Sequence, residues 1–236
     1  MAGERGWQRW LVAAAFLLPS LVPLALFTLG PIVASLGISF LRWDLIRAPR
    51  FTGFQNYLNL LSDRDFHAAL AHTITFIGGY LPLVFAGGLL IALALNQRLR
   101  ASSFFRAAYF LPVVTSWVVV ALMWKWLLNP QSGIVNFVLG LVGIDGPGWW
   151  TDPAWAMPSI ILASAWKDLG FVMVILLAGL QAIPPDYYEA AAVDGAGRWA
   201  RFRHITVPLL SPATFFVLVI SLINGFQVFD QVWVMT

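Results

Sequence analysis

Apolar residues gather along the chain into five charge-free blocks: Trp10 to Leu41, Ala68 to Gln97, Ala107 to Trp124, Leu169 to Ile183 and Ile205 to Phe229. A polar-interrupted stretch from Pro153 leads into the fourth. Each block is near or above the roughly 20 residues that a helix needs to cross about 30 Å of hydrocarbon. The pattern predicts an all-α membrane protein, a polytopic helical bundle with spans over about 10–35, 69–96, 106–128, 156–182 and 206–229. No repeat, low-complexity tract or soluble domain interrupts it, so residues 1–236 are expected to form a single domain. The first block is too long for one perpendicular span and contains Pro19, Pro23 and Pro31. It predicts a kinked or tilted helix that leaves the bilayer after Gly30-Pro31. A cleaved signal peptide is the weaker alternative, since no small-x-small site ends a short apolar core there.

Composition agrees with the pattern. The chain of 236 residues is 60% hydrophobic, 15% aromatic and 11% charged, with a mean hydropathy of +0.79. Soluble domains carry roughly a quarter charged residues, so the bilayer is the expected solvent. The absence of cysteine excludes disulfides and thiolate metal sites.

A net charge of +3 could point to nucleic acid, but the placement of the arginines points to membrane orientation instead. Arg5 and Arg9 precede the first span; Arg98, Arg100 and Arg106 lie around 97–106; Arg198, Arg201 and Arg203 lie around 182–204. The connection from Asn129 to Asp152 has no Lys or Arg and offers Asp145, Asp152 and "GPGWWTDPAW", whose tryptophans suit an aromatic belt. Cytoplasmic loops carry the excess of positive residues, which places the amino terminus inside. Arg42, Arg47, Arg50 and Arg64 run against that assignment and are partly offset by Asp44, Asp63 and Asp65. Five spans then put the carboxyl end outside, where the chain stops at "VFDQVWVMT" without a basic anchor; a final span is expected to be missing.

The connection "YYEAAAVDGAGRWARFRHITVPLLSP", 187–212, is unusually rich in charges, small residues and prolines. Pro184 and Pro185 stop the preceding helix, and Asp186 with Glu189 three residues later has the form of a capping box. A short helix is expected to begin there, to end at Asp194-Gly195, and to be followed by a second helical piece that turns into the span near Thr206. Two short helices around a glycine bend would project from the inner face. Small Ala side chains admit another backbone, and Tyr187, Tyr188, Trp199 and Phe202 suit a partner's pocket. They suit an amphipathic helix lying on lipid headgroups equally well, and residue chemistry alone does not choose.

The stretch "EAAAVDGAGRWARFRHITVPLLSP" closely resembles the EAA loop of the inner-membrane permease subunits of bacterial ABC importers. The matching positions are Glu189, Ala190, Ala191, Asp194, Gly195, Ala196, Phe202, Ile205 and Pro208. The rest of the chain is similar to the carbohydrate-importing, maltose-permease-like branch, through "GFQNYLNLL", "FFRAAYFLPVVTSWVVVALMWKWLLNPQSGIVN" and "LAGLQAIPPDYYEAA". Members usually carry a further span after a "TGGP"-like turn, which this sequence does not reach.

The resemblance implies that the loop, 184–208, seats in a groove of a separate ATPase, with Glu189, Ala190, Ala191, Asp194, Gly195 and Ala196 as coupling residues. It implies as partners a second homologous permease, a dimer of ATP-binding-cassette ATPases and an extracytoplasmic solute-binding protein, with the lipid bilayer around the spans and no nucleic acid. The location implied is the bacterial plasma membrane. ATP and magnesium would belong to the partner ATPase and no cofactor to this chain. The cargo would be a mono- or oligosaccharide or similar polyol, with glycerol phosphate as an alternative.

The residues agree with a chain that performs no catalysis. Neither lysine, in "MWKW" and "AWKD", follows a Gly-rich phosphate cradle, and no HExxH or GxSxG is present. Polar residues in spans are expensive and therefore mark pathways. Lys167 and Asp168 point about 100° apart on a helix and would not simply neutralise each other. Matching by position to family members with a sugar site in the membrane gives Lys167, Leu169, Gly170, Ser221, Asn224 and Gln227 lining roles. Asn224 and Gln227 would alternatively bind a neighbouring helix. Lys125 is expected to snorkel. His67 and His72 are expected to cap or to lie at the interface, and Gly88 with Ala92 to pack helices. A secondary transporter driven by an ion gradient is the rival function, for which only Asp168 would serve as the mid-span carboxylate.

Overall fold

The computed structural model describes residues 4–97 and 102–236, so Arg98 and Arg100 lie outside the described residues. Its described residues form two compact units, one reaching Leu70 and one spanning Ala71–Thr236.

In the first unit α1 (Glu4–Leu24), one π-helical turn (Ala25–Leu29) and α2 (Gly30–Ile38) follow one another without a break. They form an apolar stretch, Arg9–Ile38, none of whose most apolar window is buried. The helix runs on through Gly30-Pro31. Pro31 has no N–H to give to the carbonyl four residues back. The π turn absorbs this defect by sending the Gly30 N–H to the Ala25 carbonyl, and the helix runs on.

A two-stranded antiparallel ribbon follows, β1 (Leu41–Arg42) with β2 (Arg50–Phe51), pairing Leu41 with Phe51 and Arg42 with Arg50. Its connection is turned by Asp44, whose Oδ1 accepts from the backbone N–H groups of Arg47 at 2.8 Å and Ile46 at 3.1 Å. Those bonds, Arg47's first, hold the Asp44 carboxyl below the ordinary carboxylate range. Helix α3 (Gln55–Leu61) carries Tyr57, which meets Phe40 and Phe54 at 5.7 and 6.0 Å between ring centroids. Helix α4 spans Arg64–Leu95.

The second unit is built on α8 (Pro153–Gln181), started by Asp152, whose side chain accepts from the Ala154 N–H. Lipid gives helices no apolar reason to associate, so contact depends on close approach at small residues. Gly79, Gly87 and Gly88 of α4 lie against Ile161, Leu169 and Val172 of α8. Ala92 is buried with them. Helix α5 (Ser102–Val114) meets α8 at Gly170, whose position leaves no room for a Cβ beside the Tyr109 carbonyl. Helix α12 (Ser211–Phe226) meets α8 where Leu210 and Ala213 contact Gly179.

Two expected spans are bent. The third divides into α5 and α6 (Trp117–Leu127), which lie at 102° to each other. Pro112 cannot donate to the Ala108 carbonyl, and the chain leaves the helix at Ser116 with φ −58° and ψ 142°. The fifth does not rise straight from Thr206. Its approach is α10 (Arg198–Arg201), a π turn (Phe202–Thr206) and α11 (Val207–Leu209), and it bends by 63° at Leu210 into α12. Pro208 and Pro212 remove two N–H donors from this stretch, which breaks its regular ladder.

Between α6 and α8, helix α7 (Ile134–Leu141) is tied down by Asn136. Its Nδ2 donates to the Pro130 and Pro147 carbonyls, and its Oδ1 accepts from Trp149 Nε1 at 2.6 Å. Trp149 and Trp150 are half-buried: Asn136 draws in the first and Lys125 covers the ring of the second at 5.0 Å. Lys125 Nζ also donates to the Val234 carbonyl of α13 (Asp230–Met235) at 3.0 Å. His67 Nε2 pairs with the Leu61 carbonyl at 2.8 Å.

Candidate functional site

Two features of the second unit carry chemistry: a polar cavity among the spans and the short helix between α8 and α12. The cavity encloses about 500 Å³. From α8 it is lined by Ser164, Lys167, Asp168 and Phe171, which follow the i, i+3, i+4, i+7 rule for one helix face. Asn224 of α12 and Gln227 just past its end add to the polar wall, with Asp230 and Gln231 of α13 beyond them. Phe76 and Tyr80 of α4, stacked at 5.3 Å between centroids, line another side.

The charged pair is held apart. Lys167 Nζ donates to the Val113 carbonyl at 3.0 Å and stands 4.9 Å from the centre of the Trp117 ring. In an unbroken helix that carbonyl would accept from the Trp117 N–H, so the lysine occupies a bond that the α5–α6 bend gives up. Asp168 Oδ2 accepts from the Tyr80 hydroxyl at 2.7 Å. Ser164, 1% exposed, faces the cavity with its Oγ unbonded among the described residues. A buried hydroxyl left so is matched by a hydroxyl-bearing guest or water.

The structure therefore brings Lys167, Asn224 and Gln227 together and does not bring the other three candidates to this wall. Leu169 packs on Gly87, Gly170 on the Tyr109 backbone, and Ser221, 2% exposed, interacts with the Tyr80 hydroxyl without lining the cavity. Successive residues turn by about 100°, so the neighbours of Lys167 in sequence face different helices. Tyr80, Ser164 and Phe171 were missed. The stripe from Ser164 to Phe171 was the available signal for two of them; nothing local pairs Tyr80 with a residue 88 positions away.

Lys167→Met is expected to lower stability by about 1–3 kcal/mol, because it leaves the Val113 carbonyl buried without a donor. Thermal unfolding of the purified chain checks this, and Lys167→Arg, which keeps a donor, should lose less.

Helix α9 (Pro185–Val193) has Pro184 as its N-cap, with no side-chain capping bond. The expected capping box is not formed: Asp186 lies inside the first turn, since prolines at 184 and 185 already set the chain direction and need no donor there. The carboxyl end obeys its sequence closely. Gly195 takes φ +79°, its N–H reaches the Ala192 carbonyl at 3.1 Å, and the Ala196 N–H reaches the Ala191 carbonyl at 2.8 Å. This pair of bonds is the Schellman ending. Glu189, Ala190, Asp194 and Gly195 are exposed, Ala191 and Ala196 half-buried, and Val193 is 89% exposed.

The family described as binding-protein-dependent transport system inner membrane component matches residues 84–232. The trehalose/maltose transport system permease protein of Thermococcus litoralis is 36% identical over 93% of this chain and 75% of its own length. The lactose transport system permease protein of Rhizobium radiobacter is 37% identical over 92% and 74%. Among solved structures, a bacterial alginate ABC transporter in complex with an alginate pentasaccharide-bound periplasmic protein superposes with a TM-score of 0.78 at 29% identity, covering 98% of this chain and 82% of that one. A family match over residues that include α8, α9 and α12, with relatives of this identity along nearly the whole length, means that the chain belongs to the binding-protein-dependent transport system inner membrane components.

Proposed function

We propose that this chain is the permease subunit of an ATP-driven importer for an uncharged sugar or oligosaccharide, with its amino terminus in the cytoplasm of a bacterial cell. The observation that carries this is the junction of two features on the same helices: α8 and α12, which α9 connects, also supply the polar walls of the cavity. The trehalose/maltose, lactose and alginate relatives support a sugar as cargo. The lining favours a neutral one over a phosphate ester. Lys167 is engaged by Val113 and Trp117, and the cavity counts two carboxylates, Asp168 and Asp230, against one ammonium. Sugar hydroxyls suit Ser164, Asn224 and Gln227, and the ring of Phe171 offers an apolar face.

The partners in this proposal are a second, homologous permease, two ATPase copies that bind ATP and magnesium, and a solute-binding protein that delivers cargo to the outer side. Glu189, Ala190, Ala191, Asp194, Gly195 and Ala196 form the ATPase-facing end. Exposed Val193 supplies an apolar knob among these small residues.

Uptake of the sugar retained by the co-expressed binding protein tests the proposal. Asn224→Leu should cut uptake at least tenfold, about the 1.4 kcal/mol that a lost polar contact is worth. Uptake that survives ATP depletion and is abolished by an uncoupler would instead assign the chain to ion-driven transport.

A further inference from the structure

We infer that the hydrogen bond between Tyr188 and Thr206 is the link through which movement of α9 reaches the cavity, making these two positioning residues of the transport cycle. The inference rests on the coupling role proposed above for α9.

Tyr188 is half-buried, while Pro185, Asp186, Tyr187, Glu189 and Ala190 around it on α9 are exposed. Its hydroxyl lies 3.0 Å from Thr206 Oγ1, and Thr206 is 5% exposed. Among the described residues no other side-chain hydrogen bond leaves α9. The chain itself connects α9 to α8 through Ala182, Ile183 and Pro184. The bond therefore closes a loop, fixing the same short helix also to the foot of the last span.

Thr206 closes the π turn Phe202–Thr206, a ladder defect of the sort found at places that move. Four residues on, the chain bends by 63° at Leu210. Leu210, buried, and Ala213 both touch Gly179 of α8, so a fulcrum lies just beyond the point of attachment. On the far side of that fulcrum, α12 runs straight to Asn224 and Gln227 in the cavity. Thirteen residues of α12 carry the chain from Ser211 to Asn224, roughly 20 Å of helix at 1.5 Å per residue. A small displacement at Thr206 thus becomes a displacement of the cavity wall. A helix held only at the Ala182–Pro184 turn would have one attachment and could pivot about it.

The chain has no cysteine, so Asn224→Cys supplies a single reporter in it. In the intact complex with its ATPase, the maleimide-labelling rate of this cysteine is measured with and without ATP and vanadate. Adding Tyr188→Phe is expected to shrink the nucleotide-dependent change in rate roughly fivefold, the scale of one hydrogen bond, while the ATPase still co-purifies. Thr206→Val should do the same, and Thr206→Ser, which keeps the hydroxyl, should restore the change. A full nucleotide response in Tyr188→Phe overturns the link. Loss of the ATPase from Tyr188→Phe also overturns it, by making Tyr188 a docking residue. If the reporter complex with both residues intact shows no nucleotide response, the coupling role of α9 itself fails.

Discussion

Gly195→Pro is expected to abolish ATP-driven uptake while the chain still reaches the membrane in normal amount. Gly195 sits at φ +79°, and proline is locked near −65°. The substitution also removes the N–H that Ala192 accepts, and turning the backbone withdraws the Ala196 N–H from Ala191. Both bonds that end α9 are lost together, so α9 and α10 no longer keep a fixed angle. Gly195→Ala separates backbone conformation from bulk. A Cβ there meets nothing within 4 Å, so only the left-handed conformation opposes it, at about 1–2 kcal/mol. Uptake in Gly195→Ala should fall only a fewfold, and Gly195→Asn should be milder still. Measured in the same cells with ATPase co-purification as a second readout, equal uptake in the proline variant and the parent would remove Gly195 from the coupling path.

The contrast between this loop and the cavity explains what the sequence makes legible. The spacing of Glu189, Ala190 and Ala191 from Asp194, Gly195 and Ala196 encodes a local object, a helix and its Schellman ending, whose bonds join residues three and five apart. Local rules suffice to see it. Five apolar blocks are legible for the same reason, since crossing lipid is a property of one segment at a time. The bend between α5 and α6 is not, because "PVVTSW" contains no glycine and its only proline lies inside α5, four residues before Ser116. What stabilises the bend is Lys167, 54 positions away from the carbonyl it satisfies. The cavity wall fails to announce itself for a related reason. Lys167, Leu169 and Gly170 are adjacent in sequence, and packing against α4 and α5 claims the last two.

That packing sets the second large effect. Gly170→Ala is expected to destabilise the chain by about 3 kcal/mol, more than any other single methyl added to α8. The new Cβ would fall on the Tyr109 carbonyl and within 3.0 Å of Phe110 Cα. These are backbone atoms, and no rotamer change relieves them. Helix α5 must shift bodily, which costs about 1–3 kcal/mol as overpacking. The same shift draws the Val113 carbonyl, one turn along, away from Lys167 Nζ, and losing that charge-assisted bond adds about 1–2 kcal/mol. Purified in detergent, Gly170→Ala should melt roughly 6–12 °C below the parent, by the 2–4 °C per kcal/mol usual for a chain of this size. Gly78→Ala is the matched control. It adds a methyl to a helix where nothing lies within 4 Å and should melt at or slightly above the parent. Coincident midpoints for the two variants would mean that α5 and α8 are not in contact at Gly170. In that case the Lys167 bond to Val113, which depends on the same approach, would lose its basis as well.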